Sequence, residues 1–393
     1  MKKVFGVLAV VLAMLLAASV GAAWYFSGLI IDGATIKGDD AQFEFQIVSV
    51  TPDSGGQTGS VSYRVPDGIE NPATDANTVS RVGMTFEDGS YLQLDQGATV
   101  DAGVVSRTYD LLAGTAPEPG ALGKMDWDSY PDASALGLTQ REVSYDAPLG
   151  ATPAIIVDPA PGAPKSDTWA VVLHGRNGSI REGLRITAPL AQRGLTTMLV
   201  NYRDDRKEPG VPAEDGLGNF GSTEWPDAEA AVGYALGNGA KTILLVGWSM
   251  GGSVTAAYLE NGSNTDSVIG TMLVSPAVSF HAVTVFGAEL LGYPTQLMGP
   301  IIWMAERFTE LRTDIDYSAS EYRDNAATWP VPALVTAATE DDLVPPEAIE
   351  EFAAALPDGQ FELFEGAFHT GEWNLDWARF DNVVGTWLDA NLP

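Results

Sequence analysis

The pentapeptide Gly247-Trp248-Ser249-Met250-Gly251 sets one alcohol between two glycines. It follows the apolar run Thr242-Ile243-Leu244-Leu245-Val246 and precedes a stretch of small residues, Gly252, Ser253, Ala256 and Ala257. A Gly-x-Ser-x-Gly turn between a buried strand and a helix thrusts the serine hydroxyl out above a sheet, and it takes glycines because the strand and helix approach too closely there for side chains. In a chain with 42 glycines the pentapeptide alone is a weak signal, and its strand and helix flanks give it weight. An alcohol of ordinary pKa is a poor nucleophile, so Ser249 needs a base beside it. The sequence holds three histidines. His369 follows the apolar run Phe361–Phe364 and precedes the final helical stretch, which puts it at the carboxyl edge where open α/β sheets gather ligands. His281 falls inside an apolar insertion and His174 ends an earlier strand, so His369 is the expected base.

The acid that holds the imidazole in one tautomer should follow the penultimate strand and precede His369. Asp341, in Glu340-Asp341-Asp342-Leu343-Val344-Pro345, fits that place, with Asp342 as the alternative. A tetrahedral intermediate also needs two backbone N–H donors, each worth about 3 kcal/mol. Met250, at a helix N-terminus directly after the serine, supplies one candidate amide. Arg176, in His174-Gly175-Arg176 after the run Trp169–Leu173, supplies the other. His174 and Trp248, which adjoin these groups, are candidates for substrate contact, and His174 also reads as a structural hydrogen-bonder of its loop. No metal-ligand cluster, phosphate-cradling loop or basic aromatic patch stands out, so no cofactor and no metal is expected.

Elements must hold these residues together. From about Arg141 onward, apolar runs alternate with helical stretches, the pattern of a mostly parallel sheet covered by helices on both faces. The runs are Ala154–Val157, Trp169–Leu173, Thr197–Asn201, Ile243–Val246, Gly270–Val274, Ala333–Ala337 and Phe361–Phe364, with helices starting near Glu182, Glu224, Met250, Pro346 and Trp373. Residues 279–328 interrupt the alternation with Val283, Phe286, Leu290, Leu297, Ile301 and Trp303 at mixed helical spacing. This insertion is expected to be a helical lid over an apolar space; extra core or a membrane-touching helix is the alternative.

Residues 32–112 show short alternating runs, among them Phe43–Val48 and Val61–Val65, broken by Gly, Pro, Asn and Asp, and read as a small β-rich region. The Pro/Gly-rich stretch Gly114–Gly123 suggests a boundary, giving a linker over 113–136 and a main domain over 137–393. At the start, Lys2 and Lys3 precede an uncharged apolar run, Val4–Ile31, closed by Trp24-Tyr25-Phe26 like an interfacial belt. Residues 1–31 are therefore expected to be a single-pass anchor with the rest of the chain outside the membrane, or else a signal cleaved among Ala17, Ala18, Gly21, Ala22 and Ala23.

With 393 residues, 45% of them apolar, the chain can bury a full core. Zero cysteines exclude disulfides and thiol chemistry. The net charge of −31, from 52 acidic and 21 basic residues, repels nucleic acid and anionic headgroups, so no nucleic-acid partner is expected.

From about Gly137 the sequence resembles the α/β-hydrolase superfamily, and within it exported or membrane-anchored actinobacterial hydrolases of undefined substrate. The likeness rests on Leu173-His174-Gly175-Arg176, Asn201-Tyr202-Arg203, Gly221-Ser222-Thr223-Glu224-Trp225, Gly247-Trp248-Ser249-Met250-Gly251-Gly252, and His369 followed by Trp373-Asn374. It implies the α/β-hydrolase fold and hydrolysis of acyl esters or related bonds by Ser249, Asp341 and His369. The apolar insertion adds the expectation of a small-molecule ester or lipid-like substrate with an apolar acyl or alkyl part. A peptidase or acyltransferase using the same triad, and a non-catalytic surface binding protein, remain alternatives. The oligomeric state is not readable.

Overall fold

Residues Lys2–Ala34 form one long helix, α1, because nothing in them breaks a helix and nearly every side chain is apolar. This is a computed structural model, and it describes residues 2–37, 42–66, 79–203 and 216–392. The side chains of Lys2 and Lys3, on which the expected orientation rests, lie outside the described residues. From Phe5 to Ala34 the helix is long and apolar enough to cross a membrane, a length and composition that suit either an anchor or a signal sequence. Residues 5–18 of the helix are exposed all round. Its last turns bury Ala23, Ser27 and Ala34 against the rest of the chain.

Seven antiparallel strands follow: β1 Phe45–Pro52, β2 Thr58–Arg64, β3 Val82–Phe86, β4 Tyr91–Leu94, β5 Thr99–Asp101, β6 Val104–Ala113 and β7 Leu122–Asp126. They run in the order β2-β1-β7-β3-β4-β6-β5, and β2 also pairs with β6 from Thr58↔Asp110 to Arg64↔Val104, so the sheet closes on itself. Closure gives β2 and β6 partners along both sides. The alternating side chains Ile47, Val61, Tyr63, Met84, Leu92 and Val105 fill the interior. Strand β7 lies inside the stretch expected to be linker; it pairs with β1 and β3 and completes the ring.

The second sheet is built from β8 Gln140–Ala147, β9 Gly150–Val157, β10 Thr168–Leu173, β11 Thr196–Val200, β12 Thr242–Trp248, β13 Val268–Val274, β14 Ala333–Glu340 and β15 Gly359–Phe368. Its order is β15-β14-β13-β12-β10-β11-β9-β8, parallel from β15 to β11 and antiparallel at the β11–β9 and β9–β8 pairs. Every residue of β10 is buried, as a strand covered on both faces requires. Helices α2 Leu184–Gln192, α3 Trp225–Gly237, α4 Met250–Asn261, α5 Phe280–Leu290, α6 Thr295–Thr313, α7 Pro346–Ala355, α8 Glu372–Leu375 and α9 Trp377–Asn391 complete the main domain. Helices α2 and α9 cover one face with Leu184, Leu190, Phe380 and Trp387, while α3 and α4 cover the other with Ala228, Val232, Val254 and Tyr258. Helices α5 and α6 lie in the insertion, and α6 packs on α1.

The closed sheet docks on the main domain beside the β15–α8 turn. The Asn374 Nδ2 amide donates to Arg81 O at 2.7 Å and to Ser129 Oγ at 3.0 Å, and the Arg81 amide donates to Asn374 O at 2.7 Å. Arg181 pairs with Asp126 at 3.0 Å, and the Arg81 guanidinium lies 4.9 Å from the Trp377 ring centre.

Candidate active site

Strand β12 runs into α4 through Ser249, whose backbone sits at φ 49°, ψ −114°, a region a side chain seldom adopts. Flanking glycines make this turn possible. A Cβ at Gly247 would stand 2.5 Å from Gly251 O, and one at Gly251 would stand 2.3 Å from Leu173 O. The distortion turns the Ser249 side chain outward, where it is half-buried between residues that are fully enclosed.

His369 follows β15 directly, and its Nε2 lies 2.8 Å from Ser249 Oγ. Its Nδ1 lies 2.6 Å from Asp341 Oδ2. Asp341 directly follows β14, and its side chain is wholly buried. Its other oxygen accepts the backbone N–H groups of Leu343 at 2.9 Å and Val344 at 2.8 Å, which fixes the carboxylate's direction. Asp342, the alternative acid, is exposed. The three side chains thus form one hydrogen-bonded line from an accessible hydroxyl to a buried carboxylate. Met250 opens α4, so its amide is one of the donors a helix start leaves free. The loop after β10 comes close on the other side, since a Cβ built on Gly175 would lie 3.3 Å from Ser249 Cβ, and Arg176 is the next residue.

Two expected substrate contacts do not hold. Trp248 has no exposed surface: its ring stacks on Phe380 and lies under the Arg185 guanidinium, 4.3 Å away. The middle residues of the pentapeptide point alternately out and into the core, and Trp248 takes the inward place. His174 is also buried, stacked on Tyr202 at 4.3 Å with Nδ1 2.8 Å from Gly175 O, a structural role in its loop. His281 is instead paired with Glu306 at 2.6 Å; that hydrogen bond raises its pKa against the opposing effect of burial.

Three polar residues unread in the sequence support the site. Glu182 accepts the Gly175 amide at 2.7 Å and pairs with Arg185 at 2.8 Å, and Arg185 donates to Thr370 O at 2.8 Å. One buried ion pair therefore braces both the loop beside Ser249 and the turn after His369. Glu372 is fully buried and accepts from Ser275 Oγ at 2.8 Å and Thr336 Oγ1 at 2.9 Å, and burial pushes its carboxyl pKa up. The sequence signals were faint: a charged pair three apart at a helix start, and an acid three residues after His369.

A mostly parallel sheet with a strained serine at a strand-to-helix turn is the architecture of the α/β hydrolases. The sequence pattern of the alpha/beta hydrolase family matches residues 170–380, and the chain belongs to that family. Among solved structures, the esterase Pf2001 of Pyrococcus furiosus shares the fold at 18% identity and a TM-score of 0.51, over 67% of this chain and 94% of that one. The esterase RhEst1 from Rhodococcus sp. ECU1013 is 21% identical with a TM-score of 0.45, over 64% of this chain and 99% of its own. Est1E from Butyrivibrio proteoclasticus, solved with ferulic acid, is 18% identical with a TM-score of 0.49, over 64% and 99%. A search of curated proteins finds no match.

Proposed function

We propose that the chain is a serine esterase that cleaves carboxylic esters with an apolar acyl or alkyl part through an acyl-enzyme on Ser249. The unbroken hydrogen-bond line from Ser249 through His369 to Asp341, at 2.8 and 2.6 Å, is the observation that carries this reading. As the Ser249 oxygen attacks the ester carbonyl, its proton passes to His369 Nε2, and Asp341 stabilises the imidazolium. The amides of Met250 and Arg176 receive the developing oxyanion. His369 then protonates the departing alcohol, and the same imidazole draws a proton from the water that releases the acid. Helices α5 and α6 form the lid over the acyl side, and α1 holds the chain at the membrane with the main domain outside. Residues 137–393 are the catalytic domain, and the closed sheet is an accessory unit extending to β7.

The chain of residues 1–393 in detergent tests this. It should hydrolyse p-nitrophenyl esters and take a fluorophosphonate label on the peptide bearing Ser249, and Ser249→Ala should lose both. Turnover that survives Ser249→Ala would refute the assignment.

A further inference from the structure

A cavity of about 240 Å³ lies between α1 and the insertion. Helix α1 gives it Phe26, Leu29, Ile30 and Gly33; the insertion gives Val283, Ala288 and Ile302 among others. Its lining is almost wholly apolar, with Arg176, Thr284 and Asp342 as the polar exceptions. Arg176 and Asp342 are chain neighbours of Gly175 and Asp341, so the cavity abuts the loops that flank Ser249 and His369. Ser249 itself is not part of the lining.

The helix end is woven into the same loops. The Arg176 guanidinium donates to Gly33 O at the C-terminal end of α1, where free carbonyls and the helix dipole both favour a cation. The Lys37 amide donates to Asn177 Oδ1 at 2.7 Å, and the Gly218 amide donates to Ala34 O at 2.8 Å. Higher up, Arg312 of α6 donates to Ser27 Oγ at 2.9 Å and lies 4.7 Å from the Trp24 ring centre, and Phe26 meets Tyr293 edge to face at 4.8 Å. A segment that was to be cut away would leave the apolar cavity without one wall.

On the solvent side, Leu291, Leu297 and Trp303 of the insertion are each more than half exposed, beside a helix whose earlier turns are bare apolar surface. An apolar rim continuous with a membrane-crossing helix belongs at the bilayer surface.

We propose that the last two turns of α1 form one wall of an acyl-chain pocket, so that the anchor is part of the binding site and the substrate is an amphiphilic ester taken from the bilayer. This rests on the esterase reading. It also means the helix is retained, since its removal would open the pocket.

Gly33 and Gly287 both line this space, and a Cβ at either would meet nothing within 4 Å. Leucine at each site would therefore project into the cavity and take up part of its volume. In the chain of residues 1–393 in detergent, Gly33→Leu and Gly287→Leu should each lower the ratio of kcat/KM for p-nitrophenyl palmitate to that for the acetate at least tenfold. Gly21→Leu, on the bare part of α1, should leave it unchanged. A Gly33→Leu ratio within twofold of the parent, with acetate turnover intact, overturns this inference alone; a parent inactive on both esters overturns the esterase reading and this with it. A second measurement needs no variant. An alkyl fluorophosphonate carrying a mid-chain diazirine bonds to Ser249 with loss of fluoride, and on irradiation it loses nitrogen and inserts into the nearest C–H bond. Adducts on residues 26–33 support the proposal, and adducts confined to other segments overturn it.

Discussion

Neutralising Glu182 tests whether one buried ion pair holds the loops beside Ser249 and His369. Its side chain and that of Arg185 are 9% and 2% exposed, and their charged atoms lie 2.8 Å apart. Removing one partner of such a pair costs about 3–5 kcal/mol, mostly because the other charge stays buried alone. Arg185 keeps Thr370 O at 2.8 Å, Asn374 Oδ1 at 2.5 Å and the Trp248 ring as partners, so Glu182→Gln belongs at the low end of that range, about 3 kcal/mol. Glutamine can accept from Gly175 or from Arg185 but not serve both as a carboxylate does. The loop carrying Arg176 should then loosen, and a displacement near 1 Å costs on the order of 100-fold in rate. Urea unfolding of the detergent-solubilised chain, followed by tryptophan fluorescence, gives the stability; ester kinetics should show kcat falling with KM little changed. The double change Glu182→Met with Arg185→Met should regain most of the stability but not kcat. A Glu182→Gln variant within about 1 kcal/mol of the parent and within twofold in kcat would refute the reasoning.

Other consequences can be checked separately. Asp341→Asn should lower kcat by about 10⁴-fold because the imidazole loses its oriented tautomer, whereas Asp342→Asn should cost less than about tenfold in the same ester assay. Gly251→Ala should yield little folded protein, because its Cβ would stand 2.3 Å from a backbone oxygen of β10; soluble, fully active material would contradict the packing. Burial raises the Asp381 carboxyl to about 7 from the ordinary 3.8. The stability this group contributes is complete below pH about 4 and is lost as pH rises through about 7. Asp381→Asn should therefore melt with the parent near pH 4 and increasingly above it toward pH 8, as read by thermal scans.

Much of the main domain was legible because its strands are buried on both faces, which forces continuous apolar runs such as Trp169–Leu173. Strand β8 was not, since it is an edge strand whose Arg141 and Glu142 face water. The ring closure was hidden for another reason: pairing of β2 with β6 joins residues forty or more apart, and no local pattern encodes it. Strand β7 was masked by the glycines and prolines around it, which read as linker although Gly123 packs against the Met84 side chain of the ring. At the site, the triad candidates were found by motif and elimination among three histidines. Trp248 misled because an aromatic residue beside a reactive serine looks like a ligand platform until its inward direction is known. Glu182, Arg185 and Glu372 gave only faint signals, because Thr370, Ser275 and Thr336, which they hold, come from distant strands and turns.

Asn374 has its amide nitrogen on the closed sheet and its amide oxygen on Arg185, five residues beyond His369. A pull on the small sheet would thus be transmitted through one side chain to the segment bearing the imidazole. The two units are mechanically a single part, and transplanting the hydrolase half alone would leave that segment without its outer tether.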